Sequence, residues 1–232
     1  MKWDVEKLFQ QALRYVPRGS LTLAGVAVIA PIFTIGLLAP LISPYSPKQI
    51  NWGYAYSPPS SQFLLGTDDM GRDVLSNLIW GARTSLIIGI VATLIFTVTG
   101  VFFGLVSGYY GGKVDALIMR ICDIFLAIPT IFILIAIVSI FEVRSIVTIM
   151  LLVGFLDWPR MARIVRSQIL TLKERIYIQA VVAMGASDWR IVFKHLLPNA
   201  ISPVIVTATL FIGRAILYEA SLSFLGLGDP TV

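Results

Sequence analysis

The stretch that decides the fold class of this protein runs from Thr84 to Gly112 and reads TSLIIGIVATLIFTVTGVFFGLVSGYYGG. It contains no charged residue, and it is longer than the roughly 20 residues that a helix needs to cross the hydrocarbon core of a bilayer. A second charge-free stretch lies between Gly19 and Ser46 and is centred on Leu21–Ile42. Two such stretches predict a membrane protein built from helices, because a helix satisfies its own backbone hydrogen bonds in lipid.

The composition supports the same class. Of the 232 residues, 57% are hydrophobic and 13% are charged, and the mean hydropathy is +0.85, whereas roughly a quarter of the residues in an ordinary soluble domain are charged. The formal net charge of +5 does not indicate nucleic-acid binding, because the basic residues lie between apolar runs and not on one face of a soluble fold. The single cysteine, Cys122, excludes an internal disulfide.

Three further apolar runs are shorter or interrupted. They are Cys122–Phe141, Ser145–Leu156 with its continuation to Trp158, and Ala200–Leu225. We therefore predict five membrane helices in an all-α, polytopic transmembrane bundle. Basic residues precede the first run, as in a signal peptide, but the run is longer than the roughly 7–15 residues of a signal-peptide core and contains Pro31. We interpret it as an uncleaved helix.

The positions of Lys and Arg predict the topology. Basic residues are concentrated in residues 1–18 and 160–194, and a few lie in the short loop Lys113–Arg120. If the spans alternate, these regions share one side of the membrane, which the positive-inside rule makes cytoplasmic. Residues 1–18 then form a cytoplasmic N-terminal segment, 19–43 the first transmembrane helix, and 44–83 an external segment. Residues 84–228 form the core, and 229–232 follow as a truncated C-terminus, so we expect that a sixth span is missing.

The cytoplasmic segment 171–199 carries the most informative pattern. Residues 173–184, KERIYIQAVVAM, favour a helix that Gly185 interrupts. Ser187 is a good N-cap for a second short helix, Asp188 suits its first turn, and Pro198 is expected to end it. In this second helix, apolar residues at three-and-four spacing predict one exposed face, formed by Trp189, Val192, Phe193 and Leu196. That face either packs on the protein's own spans or lipid headgroups, or binds a soluble partner.

Several motifs carry a resemblance to a known family. YIQAVVAMGAS at 177–187, followed by HLLPN at 195–199, closely resembles the EAA loop of permease subunits of binding-protein-dependent ABC importers. Further segments match the dipeptide, oligopeptide and nickel permeases in the same order along the chain: FLLGTDDMGRDVLS at 63–76, GYYGG at 108–112, DALIMR at 115–120 and LSFLGLG at 222–228. Such an ordered series is more specific than any single motif. The chain most resembles the C-type subunit.

This resemblance implies a bundle of the type I importer (MetI-like) kind whose cytoplasmic helices dock into separate ATPase subunits. The implied partners are a B-type permease subunit, two ATPase subunits, an external substrate-binding protein and the lipid bilayer, with no nucleic acid. ATP and Mg are bound by the ATPase subunits, and no cofactor is implied in this chain. The positions implied for ATPase coupling are Gln179, Ala180, Gly185, Ala186, Ser187, Trp189 and Phe193. Gln179 replaces the usual Glu of the loop, so no salt bridge is expected there.

The resemblance further implies import of dipeptides, oligopeptides or a related solute such as a nickel chelate across the inner membrane of a prokaryotic cell. No catalytic or metal site is expected in the chain, since its one histidine, His195, cannot form a His pair or a His-based relay with other histidines. The alternative function is an ATPase-independent secondary transporter or channel. It would need paired ionisable residues at mid-membrane and inverted repeats, and neither is evident.

Charged or kinked positions in the spans are candidates for the translocation path, because ions at membrane depth are costly and prolines free backbone carbonyls. These candidates are Asp123, Pro129, Asp157 and Pro203. A structural role is an open alternative for each charged residue. Asp123 follows Arg120 by three residues, and this spacing predicts a local ion pair.

The second predicted span also carries a stripe of small residues. Gly100, Gly104 and Gly108 recur every fourth residue and lie on one helix face. Such stripes let helix backbones approach closely in lipid. The stripe packs either within the chain or against a partner permease.

Overall fold

The computed structural model of the protein describes residues 19–142 and 145–228. The regular structure within these residues is helical, apart from an isolated bridge between Thr67 and Asp73, so the all-α prediction is confirmed. The predicted terminal segments 1–18 and 229–232 lie outside the described residues. In the order of the chain, the helices are α1 (Ser20–Ile42), α2 (Val74–Tyr110), α3 (Gly112–Ala127), α4 (Thr130–Phe141), α5 (Ile146–Lys173), α6 (Ile176–Ala183) and α7 (Asp188–Phe224).

The helices support fewer spans than the five that we predicted. By length and composition, α1, α2 and α7 can cross a membrane, and the bent pair α3 and α4 can count as a fourth span. The remaining predicted span, from Ser145 to Trp158, is the first half of α5. This helix is not apolar enough along its length to be counted as a span, because Asp157 and a series of basic residues follow its apolar start.

The chain divides into two compact units, one up to Thr84 and one from Ser85. The first unit contains α1, the segment that follows it, and the start of α2. Helix α2 begins at Val74, where the Oδ2 atom of Asp73 accepts hydrogen bonds from the backbone N–H (2.8 Å) and the hydroxyl (2.6 Å) of Ser76. The charge-free stretch from Thr84 therefore marks the apolar part of this helix and not its start.

The segment between α1 and α2 has a small core of its own. Phe63 is 2% exposed, and its ring centroid lies 5.5 Å from those of Tyr45 and Tyr54. Asp68 orders a nearby turn by accepting hydrogen bonds from the backbone N–H of Arg72 (2.8 Å) and from its guanidinium (2.7 Å). Partial burial acts to raise the pKa of Asp68, but the hydrogen bonds and the charge of Arg72 outweigh it and hold the pKa below its ordinary value.

The core of the second unit is built around α5, which packs against α3, α4 and α7. Helix α7 also contacts α2, where the rings of Phe96 and Phe211 stack with centroids 3.9 Å apart. A smaller cluster surrounds the fully buried Cys122 and includes Trp158 of α5. The exposed side of α2 is apolar as well, with Leu94, Val98 and Phe102 on it, as expected for a helix that is hydrophobic all round and spans a membrane.

Helices α2 and α5 approach each other along a line of glycines that we call the glycine seam, formed by Gly100, Gly104 and Gly108. A Cβ atom at Gly104 would lie 2.6 Å from the Cβ of Val165, and one at Gly108 would lie 2.8 Å from the Cβ of Ile169. A Cβ at Gly100 would meet the side chain of Met161 in the same way. The predicted stripe therefore packs within the chain, where any larger residue would force the two helices apart.

The predicted span Cys122–Phe141 is two helices and not one. Helix α3 ends at Ala127, α4 begins at Thr130, and their axes are bent by 77°. The cause is Pro129, because the ring of a proline excludes the preceding residue from helical backbone angles. Ile128 accordingly has an extended conformation, with φ −113° and ψ 131°.

Pro198 does not end the second cytoplasmic helix, so that prediction is wrong. The helix from Asp188 continues to Phe224 through a π-helical turn at Ile191–Leu196. Pro198 lies in the first turn of the α-helical part, Leu197–Phe224, where a proline is tolerated. The short helix that we expected is thus the start of a long apolar one, and Pro203 lies inside it without interrupting it.

Candidate functional site

Residues 184–187 connect α6 to α7 in a tight turn that we call the elbow. Gly185 has a φ of +74°, and the N–H groups of Gly185 and Ala186 donate to the carbonyls of Val182 (2.9 Å) and Val181 (3.3 Å). This pattern closes the end of α6 with a left-handed residue, which is the usual place for glycine. The predicted interruption of the helix at Gly185 is confirmed. Ala186 is half-buried and packs against the core of the second unit.

Ser187 occupies the N-cap position of α7, but its side chain makes no capping hydrogen bond. Our prediction of a hydroxyl cap is therefore wrong, although the position is right. The neighbouring Asp188 lies in the first turn of α7, as predicted, and its Oδ1 atom accepts a hydrogen bond of 2.7 Å from the hydroxyl of Tyr109. The hydroxyl of Tyr109 thus attaches the elbow to the end of α2. The sequence did not indicate this role for Tyr109.

An aromatic pair covers the start of α7. Trp189 is 71% exposed and Phe193 is 45% exposed, and their ring centroids lie 3.8 Å apart. The predicted four-residue face does not stay together, because Leu196 is fully buried and Val192 is half-buried. The π-helical turn adds a residue to the helical repeat between Phe193 and Leu196, which rotates Leu196 towards the core.

Helix α6 presents Gln179 and Ala180 to solvent. The side-chain amide of Gln179 donates a hydrogen bond of 3.3 Å to the backbone carbonyl of Glu174. Gln179 also borders a cleft of about 620 Å³ between α6 and the end of α2, whose walls include Tyr109, Lys173 and Asp188. Of the coupling positions implied by the sequence, Gln179 thus borders this cleft, and Trp189 and Phe193 form the exposed aromatic pair.

Lys173, at the end of α5, reaches the end of α2. Its Nζ atom donates to the backbone carbonyls of Tyr109 (2.7 Å) and Gly108 (3.4 Å) and lies 5.6 Å from the centroid of the Tyr109 ring. A cation at this position satisfies carbonyls that the last turn of a helix leaves free. Sequence analysis used Lys173 as a topology marker only, and its pattern offers no sign of this contact.

Asp123 does not pair with Arg120, so the predicted local ion pair is wrong. Its carboxylate instead binds the guanidinium of Arg163 on α5, and both side chains are about half exposed. Close packing of α3 on α5 makes this partner nearer than the one along the helix. Asp123 therefore joins two helices in this conformation.

Asp157 is fully buried. Its Oδ1 atom accepts hydrogen bonds from the hydroxyl of Thr130 (2.8 Å) and from Nε of Arg160 (3.1 Å), whereas its Oδ2 atom has no hydrogen-bond partner in the described part of the chain. Thr130 follows Pro129 at the start of α4. The carboxylate thus fixes α4 to α5 at the bend, so two of the four path candidates lie at one junction.

A second ion pair joins α3 to α5 and was missed by the sequence analysis. Arg166 donates from Nε and from its terminal nitrogen to the two oxygens of Asp115, each at 2.5 Å, and the hydroxyl of Ser107 donates to the same carboxylate. The spacing of acidic residues along α3 could have indicated this ion pair. Asp115 and Asp123 are eight residues apart on one face of α3, which is close to the spacing of two helical turns, and basic residues follow one another on α5.

Comparison with known proteins identifies relatives over most of the chain. Residues 100–232 match the family model described as "binding-protein-dependent transport system inner membrane component", and residues 7–59 match the "N-terminal TM domain of oligopeptide transport permease C". The chain is 39% identical to a dipeptide transport system permease protein, DppC, of Alkalihalophilus pseudofirmus, over 95% of this chain and 72% of the relative. It is 38% identical to an oligopeptide transport system permease protein, OppC, of Bacillus subtilis, over 96% and 73%. A glutathione transport system permease protein, GsiD, of Pectobacterium atrosepticum is 39% identical over 88% and 69%.

Proposed function

Since the chain belongs to the family of binding-protein-dependent transport system inner membrane components, we propose that it is the C-type permease subunit of an ATP-driven peptide importer. Several helices long and apolar enough to cross a membrane, together with its permease relatives, identify it as a multi-pass membrane protein. The relatives are named for dipeptides, oligopeptides and glutathione, and these names favour a peptide over a nickel chelate as the substrate. ATP hydrolysis belongs to the partner subunits in this proposal, and the permease itself carries out no chemical step.

The observation that carries the coupling part of the proposal is the exposed aromatic pair beside the elbow. Trp189 and Phe193 stack on each other and remain open to solvent at the end of an otherwise apolar helix. Exposed aromatic side chains next to a cleft are typical anchors of protein interfaces. We assign this surface, together with Gln179, Ala180 and the elbow, to the contact with an ATPase subunit.

Movement of an ATPase subunit would reach the membrane helices through contacts that surround the elbow. Asp188 is bonded to Tyr109 at the end of α2, and Lys173 holds the same end from α5. The glycine seam then keeps α2 and α5 at a fixed separation. A force applied at the elbow is therefore shared by α2, α5 and α7. A transport cycle needs two states whose balance the ATPase biases, and we propose that these helices switch together.

The remaining partners follow from the same proposal. A B-type permease completes the pathway, two ATPase subunits bind ATP and Mg, and an external binding protein delivers the peptide to the segment 44–83. The elbow and the N-terminus then lie on the cytoplasmic side, as the positions of the basic residues predict. Asp123, Pro129, Asp157 and Pro203 remain proposed elements of the translocation path, with Asp157 and Pro129 acting at the α3–α4 bend.

The experiment compares Trp189→Ala with Trp52→Ala in the complete importer. Both tryptophans are strongly exposed, at 71% and 85%, so neither substitution removes a buried contact, and Trp52 belongs to the other unit. We expect Trp189→Ala to weaken the association with the ATPase subunits by about 2 kcal/mol, the size typical of an aromatic anchor. ATP-driven peptide uptake in proteoliposomes should fall in parallel, and Trp52→Ala should retain the ATPase subunits.

Normal co-purification of the ATPase subunits with the Trp189→Ala variant would contradict the assignment of the coupling surface. Peptide uptake by the purified permeases without any ATPase would contradict the importer itself and favour an ATPase-independent transporter. The two outcomes are separate, because the first concerns one surface and the second concerns the energy source.

A further inference from the structure

Arg214 occupies an unusual position in α7. It lies inside an apolar helix that is long enough to span a membrane, about 15 Å along the axis from the helix end at Phe224. The side chain is exposed, and it makes no hydrogen bond or ion pair within residues 19–142 and 145–228. Half of a hydrocarbon core is about 15 Å thick. A guanidinium at this depth therefore needs a partner that this part of the chain does not supply.

The packing of α7 shows which way Arg214 points. Phe211 and Ala215, which lie about a quarter of a turn around the helix from Arg214, are buried in the core of the second unit. Leu210 and Leu217, one turn before and one turn after Arg214, are 74% and 67% exposed. Gly213 has no atom within 4 Å of the position where a Cβ would lie. Arg214 thus stands on an open face that the rest of the unit leaves uncovered.

A polar cluster borders this face. Tyr218, one helical turn beyond Arg214, is half-buried, and the carboxylate of the next residue, Glu219, accepts a hydrogen bond of 2.6 Å from the hydroxyl of Ser223. Asp157 is already bound by Arg160 and Thr130. Neither carboxylate is bonded to Arg214 in the described part of the chain, so its guanidinium still lacks an anionic partner there.

Lipid is a poor environment for this face. Moving an arginine to the centre of a membrane helix costs about 2.5–3.5 kcal/mol even on the mildest scales, and such residues almost always face the interior of a bundle or a water-filled cavity. The distance to Phe224 is also more than an arginine side chain spans when it reaches towards the headgroups near a helix end. The open face of α7 around Arg214 is therefore expected to border the interior of the assembled importer or a water-filled cavity.

We infer that Arg214 binds the terminal carboxylate of the peptide during its passage. This inference rests on the proposed function and adds a substrate-binding residue to it. The planar guanidinium of an arginine matches a carboxylate with two parallel hydrogen bonds, and the C-terminus of a peptide supplies the anionic group that Arg214 lacks.

The test compares uptake of a free tripeptide with uptake of the same peptide carrying a C-terminal amide, which is similar in size but neutral. Uptake is measured in proteoliposomes with the complete importer, at concentrations that saturate the binding protein with each peptide. We expect the wild-type complex to move the free peptide faster. Arg214→Gln should slow the free peptide about tenfold or more, in line with a lost charged hydrogen bond, and leave the amide unchanged.

Two further variants sharpen the test. Arg214→Lys keeps the charge but loses the paired geometry, so the ratio of the two uptake rates should fall about threefold. The ratio measured for Arg214→Lys tests the contact with the carboxylate even if Arg214→Gln does not accumulate in the membrane. Leu217→Ala changes the same exposed face without touching the charge, and it should leave the ratio as in the wild type.

Three results would overturn the inference. An unchanged ratio in Arg214→Gln or Arg214→Lys means that the arginine does not contact the carboxylate. Equal loss of both peptides, with loss of the second permease on purification, means that the partner is a carboxylate of that subunit. Failure of the wild-type complex to import either peptide with ATP would instead count against the proposed function.

Discussion

The glycine seam and the elbow both depend on glycine, but for opposite reasons. At Gly104 the backbone is helical and space is missing, since a Cβ would lie 2.6 Å from the Cβ of Val165 and 2.7 Å from the carbonyl oxygen of Ala162. At Gly185 space is open, with nothing within 4 Å, and the φ of +74° is the constraint. The seam therefore fixes a distance between two helices, whereas the elbow fixes a direction of the chain.

A third glycine combines both constraints. Gly66, in the segment between α1 and α2, has a φ of +76°, and a Cβ there would lie 2.5 Å from the carbonyl oxygen of Ser57. The three positions together separate the cost of a strained backbone from the cost of steric overlap. They predict a graded series of destabilisation when each is replaced by alanine.

The largest effect is expected for Gly66→Ala, because backbone strain and overlap with a backbone atom add. The free energy of local unfolding of the segment should fall by about 3 kcal/mol, measured by hydrogen exchange of its amides in the purified complex. Gly53→Ala is the matched control: its φ is +93° and its surroundings are open, so it carries the strain alone. Equal protection in the two variants would show that overlap contributes nothing.

An intermediate effect is expected for Gly104→Ala in the glycine seam. Overpacking of a tight interface costs about 1–3 kcal/mol, and the apparent thermal midpoint of the detergent-solubilised complex should fall accordingly. Gly81→Ala lies in the same helix with nothing within 4 Å and should be neutral or slightly stabilising. A seam that accepted the methyl group without loss of stability would not hold α2 and α5 at a fixed distance.

The smallest effect on stability is expected at the elbow. Gly185→Ala should lower the free energy of unfolding by about 1–2 kcal/mol, because alanine disfavours a left-handed backbone. Its methyl group would meet no neighbouring atom. Gly185→Asn should cost less, because asparagine tolerates this conformation better than alanine does. Thermal unfolding of both variants checks the order. A larger loss in the asparagine variant would mean that side-chain size, and not backbone direction, governs the elbow.

The same contrast explains what the sequence could reveal. The stripe of Gly100, Gly104 and Gly108 was visible because close packing depends on a repeat of small residues within one helix. The break at Gly185 was visible because a left-handed residue has its own preference for glycine. Both are local properties, and the structure has them where the sequence placed them. The family relationship was also visible, because its motifs are contiguous and keep their order along the chain.

Contacts between helices were less accessible. Asp123 was paired with Arg120 because the spacing along one helix is readable, while its actual partner, Arg163, depends on how α3 packs on α5. Pro198 was expected to terminate a helix, as prolines in a helix interior usually do. It instead follows a π-helical turn and lies in the first turn of the α-helical part, where the helix continues. The structure has fewer long apolar helices than the five predicted spans for a related reason, since the charged second half of α5 belongs to the same helix as its apolar start.

The burial of Cys122 allows the protein to be labelled at chosen positions. Cys122 is the single thiol of the chain, and it is completely enclosed between α3 and α5. A cysteine introduced at an exposed position such as Ser187 or Ser145 can therefore be modified by maleimide probes with little background from the native thiol. Spin labels or fluorophores could be attached at both ends of the bundle while every natural residue of the core is kept.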